Sequence, residues 1–113
     1  MKWVALLLLA FPLAVQAQTL APLTEPPKHV KQEQVARFNE ILTHPQDTDA
    51  TAWEWYTFTD ETGWRASGYN WAVVKWNQGF HSTAILYFKW LSNHCEGSPQ
   101  VCKLAKQNLA LKP

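Results

Sequence analysis

The placement of helix-breaking residues constrains this chain more than any other feature. Pro45, Gly63, Gly79 and Gly97 cut it into pieces of helical length, and most of the pieces carry an apolar stripe of helical period. From about Lys28 to His44, Val30, Val35, Phe38, Ile41 and Leu42 share a side, and His44-Pro45 supplies the stop. Asp47 or Asp49 is positioned to cap the next helix. In Ser67 to Gln78, Tyr69, Ala72, Val73 and Trp76 lie opposite Ser67, Asn70, Asn77 and Gln78, with Ser67 as the expected N-cap. Ser82 to Cys95 collects Ser82, Lys89, Ser92 and Asn93 on one arc. Ser98-Pro99 then opens a last helix striped by Val101, Leu104, Ala105 and Leu109.

The segment Trp53-Glu54-Trp55-Tyr56-Thr57-Phe58-Thr59 is ambiguous by composition, because aromatic and β-branched residues favour strands. Strict alternation leaves neither face clean, whereas at 100° per residue Ala52, Trp53, Trp55 and Tyr56 fall together. Agreement between periodicity and punctuation favours an all-α single domain of about five helices over residues 28–113. The alternative is an α+β fold with a central antiparallel sheet over Trp53 to Leu91. Gln18 to Pro27 holds Pro22, Pro26 and Pro27 without apolar periodicity, which predicts an extended N-terminal arm.

Met1 to Ala17 reads as a secretory signal peptide: Lys2, an apolar run from Val4 to Val15 broken by Pro12, then Ala17. The run is shorter than the roughly 20 residues a spanning helix needs, so no membrane span is expected after cleavage. Export to the periplasm or beyond makes Cys95 and Cys102, the only cysteines, a disulfide pair joining the fourth and fifth helices. The four histidines lack metal-ligand spacing, and no metal or cofactor is expected.

Without Lys2 the chain carries nine basic and nine acidic residues, and this balance argues against nucleic acid as a partner. Its distribution is uneven. Between Arg37 and Arg65 lie Glu40, Asp47, Asp49, Glu54, Asp60 and Glu61 with no lysine or arginine, a candidate patch for a basic partner. Most aromatic residues fall between Trp53 and Trp90, more than a small core readily buries. Trp71 falls on the polar arc of its helix and Trp64 lies in a connection beside Arg65. Trp64, Arg65 and Trp71, flanked by Asp60 and Glu61, are therefore the expected exposed binding surface.

No nucleophile elbow, facing carboxylate pair or phosphate loop is present, and Glu54 in its aromatic setting is the one enzyme-like feature. The expected function is that of a small exported, non-enzymatic protein that binds a protein partner, as an inhibitor or immunity factor or as an accessory part of an envelope machine. The alternative is a small-ligand or glycan carrier whose cavity is surrounded by Trp53, Tyr56, Trp76 and Phe88. Intact-mass analysis of secreted protein should find a chain beginning at Gln18; a mass that includes the apolar run would refute export by cleavage.

Overall fold

The computed structural model describes residues 18–113, so the proposed signal segment lies outside the described residues. These residues form five helices and no strand: α1 (Gln32–Leu42), α2 (Asp49–Thr62), α3 (Arg65–Asn77), α4 (His81–Asn93) and α5 (Pro99–Asn108). The helical reading of the tryptophan-rich middle holds, and the sheet alternative does not. Short connections make successive helices pack as hairpins, with α3 against α2, α4 and α5. The Cys95–Cys102 disulfide, with Cα atoms 5.5 Å apart, ties the end of α4 to the first turn of α5.

Helix boundaries differ from the sequence reading for identifiable reasons. α1 starts at Gln32 and not at Lys28 because His29 has a left-handed backbone (φ 62°), which a right-handed helix cannot include. Thr48, not Asp47 or Asp49, caps α2: its hydroxyl accepts from the Thr51 N–H at 3.2 Å. α3 begins at Arg65, so Ser67 is an interior residue. Its hydroxyl donates to the Trp64 carbonyl at 3.0 Å. Ser98 occupies the cap position of α5 without a side-chain cap hydrogen bond, and Pro99 follows as expected.

The largest revision concerns α3, whose supposed solvent-facing arc is enclosed. Ser67 and Asn70 are fully buried. The N-terminal arm, extended as expected, lies along this helix. The Leu23 N–H donates to Asn70 Oδ1 at 2.6 Å while Asn70 Nδ2 donates to the Leu23 carbonyl at 3.0 Å. Leu20 and Asn77 repeat the pattern at 2.8 and 3.0 Å. The register follows from geometry. Seven helical residues rise about 10.5 Å, and three residues of polyproline-like chain span about 9 Å, so Asn70 and Asn77 meet Leu23 and Leu20 with the arm running antiparallel to α3.

Trp55, Phe58, Trp76, Phe88, Phe38, Ile41 and Leu91 are almost wholly buried. Phe38, Trp55, Phe58 and Trp64 form an aromatic cluster under α1 and α2, with ring centroids 5.1–6.5 Å apart. Asn70→Ala should cost on the order of 2–4 kcal/mol of stability, because it leaves two buried backbone groups of Leu23 without partners. Chemical denaturation compared with Asn77→Ala, at a part-buried clamp, is the check, with the smaller loss expected at Asn77.

Candidate functional site

α3 forms the floor of a trough whose walls are α2 and α4. At one end a depression of about 310 Å³ is bounded by Tyr56 and Asp60 from α2, Arg65, Gly68 and Trp71 from α3, and Tyr87 from α4. A second depression of about 390 Å³ shares Tyr56 and Trp71 with it and continues toward Asp49, Trp53 and Lys75. On the α2 wall, Asp49, Trp53, Tyr56 and Asp60 recur at helical spacing, so one exposed face presents two rings between two carboxylates. Trp53 is 65% exposed and Tyr56 53%, and the two rings stack at 5.5 Å.

The opposite wall is an aromatic ladder. Trp71 meets Tyr87 edge-on at 5.2 Å, Tyr87 stacks on Trp90 at 5.5 Å, and Trp90 stacks on His94 at 4.4 Å. Two cations cover it: the Arg65 guanidinium lies 5.0 Å from the Trp90 ring, and Lys75 Nζ lies 5.8 Å from Trp71. Arg65 Nε also donates to the His94 carbonyl at 2.6 Å. The floor is low at Gly68 because it has no side chain. A Cβ there would sit 2.8 Å from the Tyr87 hydroxyl oxygen, so the glycine lets that ring lie deep.

Three of the residues expected at a binding surface are thus brought together: Asp60, Arg65 and Trp71 all line the trough. Two are not. Glu61 turns toward Arg37, 3.7 Å away. Trp64 is only 8% exposed, which overturns its expected place as an exposed anchor. The cause is local. Gly63 takes a left-handed conformation (φ 71°) and its N–H returns to the Thr59 carbonyl at 2.7 Å, closing α2. The residue after such a glycine packs back on the helix's last turns, and Trp64 does so against Phe58 at 5.1 Å. That motif was readable in the sequence, as a glycine stop followed by a large apolar residue.

Trp71 is half-buried against Tyr87 and not free in solvent. Tyr56, Gly68 and Tyr87 were missed as members of one site, since nothing in the spacing of α2, α3 and α4 says which faces meet. The four residues expected to surround a carrier cavity do not share one: Trp76 and Phe88 are core, while Trp53 and Tyr56 face outward. Glu54 pairs with His44 at 2.8 Å and lines neither part of the trough. Among the described residues no helix is long and apolar enough to cross a membrane. No family model matches the chain, and no curated protein or solved structure matches it significantly.

Burial holds the Tyr87 hydroxyl above the ordinary tyrosine value of 10.0, an effect the Arg65 charge partly offsets. Tyr69 is raised in the same way, offset by the Asn108 side chain that donates to its oxygen at 2.8 Å. Below pH 10 both hydroxyls are protonated, folded or unfolded. As pH rises further the unfolded chain releases these protons first, so stability falls from about pH 10 upward until the folded-state values are passed. Alkaline titration by tyrosinate absorbance and circular dichroism should therefore show late ionisation accompanying loss of helix, and Tyr87→Phe should make the decline shallower.

Proposed function

We propose that this chain is a small exported protein that binds a protein partner through the trough between α2 and α4, without catalysing a reaction. One observation carries the reading: the core is complete without Trp53 and Tyr56, yet these two side chains are held on the surface at the trough, at 65 and 53% exposure. Exposed apolar groups of this size mark an interaction site on a soluble domain, and tryptophan, tyrosine and arginine dominate binding energy at interfaces. A carrier needs an enclosed cavity, whereas these rings flank an open trough.

The disulfide supports an oxidising compartment, and with the apolar leader it favours the periplasm or the extracellular space. An inhibitor or immunity factor, or an accessory component of an envelope machine, fits a domain of this size with a single aromatic face. Trp53→Ala and Tyr56→Ala should change folding stability by no more than about 0.5 kcal/mol. Each should weaken capture of one identified partner from a periplasmic extract by about 2 kcal/mol or more. Trp64→Ala is the internal contrast, expected to lose roughly 3–5 kcal/mol of stability by emptying the core. Unchanged capture by both surface variants would overturn the reading.

A further inference from the structure

We propose that the trough takes a proline-rich segment of the partner in the polyproline II conformation, with a basic residue that meets Asp60. This rests on the protein-binding reading of the same site. The first ground is the kind of hydrogen bond the trough leaves open. Tyr87 Oη has no hydrogen-bond partner among the described residues and is not sealed from solvent. Arg65 uses Nε on His94, which leaves its terminal N–H groups for a ligand. The arginine groups can only donate and the tyrosine hydroxyl is able to donate, so both can meet acceptors on a ligand. A helical ligand has already spent its carbonyls on its own backbone, whereas a polyproline II segment leaves every carbonyl free and has no N–H at its prolines.

The second ground is the shape of the apolar surface. Tyr56, Trp71 and Tyr87 surround the slot over Gly68, and aromatic ridges of this kind seat pyrrolidine rings while the preformed ligand loses little entropy on binding. The third is charge. α2 carries Asp49, Glu54, Asp60 and Glu61 and no base. Glu54 is paired with His44, Glu61 with Arg37, and Asp49 accepts from Gln78 Nε2 at 2.6 Å. Asp60 alone of the four has no such partner among the described residues, and it stands at the mouth of the slot. A cationic side chain on the ligand fills that place and fixes which way the segment runs.

The test is a titration of the isotopically labelled mature chain, followed through its tryptophan indole resonances. The probe is a synthetic ten-residue peptide with proline at alternate positions and a terminal arginine. The comparison probes are the same peptide ending in glutamate, a glycine-serine peptide of equal length, and a soluble hexamer of N-acetylglucosamine. The arginine peptide should shift the Trp53 and Trp71 signals saturably, and the glutamate peptide should bind about fivefold more weakly. Tyr87→Phe, which removes one hydroxyl, should weaken the arginine peptide about fivefold. Asp60→Asn should abolish the preference for arginine over glutamate, and Gly68→Ala should weaken binding tenfold or more with the helix content unchanged.

No saturable shift at millimolar peptide, equal binding of the glycine-serine peptide, or a response to the sugar in place of the peptide would each overturn the proposal. If the peptide fails while Trp53→Ala and Tyr56→Ala still abolish partner capture, the partner presents a different surface and the protein-binding reading stands. If those variants capture normally as well, both readings fall.

Discussion

The fold depends on how α3 resolves a conflict. A helix packed by α2, α4, α5 and the N-terminal arm meets solvent chiefly along the strip that floors the trough, yet away from that strip this one carries Ser67, Asn70 and Asn77. Unpaired, those groups would each cost a desolvation penalty of about 1–3 kcal/mol. Asn70 and Asn77 avoid it by clamping the backbone of Leu23 and Leu20. The arrangement satisfies helix and arm together, because the extended arm cannot form backbone pairs of its own. Asn77 also donates to the Gln46 carbonyl at 3.0 Å, and Asn108 reaches Tyr69 from α5, so polar groups bind peripheral segments to the centre.

With α3 anchored, the aromatic residues divide into two populations. One is internal: Phe38, Trp55, Phe58 and Trp64 pack edge to face, and the Trp55 indole donates to Gln46 Oε1 at 2.9 Å, so its one polar atom is paired. The other lies at the surface: Trp53, Tyr56, Trp71 and Tyr87 line the trough, Trp53 and Tyr56 stack on each other, and Trp90 stacks on Tyr87 beneath a guanidinium. Rings that stack in this way restrict one another's orientation while exposed, and under the proposed binding reading that would lower the entropy lost on association. The same residue types thus build the core on one side of α2 and stay exposed on the other.

Much of the architecture was legible before any coordinates. Pro45, Gly63, Gly79 and Gly97 do end or separate helices, and Ser98-Pro99 does open the last one. Half of the site was legible too, since Asp60, Arg65 and Trp71 meet at the trough. The failures on α3 and α4 share one cause. A helical wheel assigns the wet side to the polar arc, but the strip of α3 that meets solvent is the trough floor at Arg65, Trp71 and Lys75. Ser67 and Asn70 read as surface and are core, while α4 carries more apolar surface than the core uses and leaves Leu86 outside. Trp64 was misplaced for a different reason: its position after Gly63 reads as a loop unless the glycine is recognised as turning the next residue back on its helix.

What the sequence alone determined is local: where helices can run, and that the cysteines lie close enough to bridge. Backbone sterics and short-range periodicity decide those matters, and they act within a few turns of chain. Which tryptophans are buried, and that Tyr56, Gly68 and Tyr87 form one slot, was decided only by tertiary structure. Those outcomes depend on how three helices are rotated about their axes, and that rotation is set by the sum of their packing contacts and not by any one residue's neighbours in the chain.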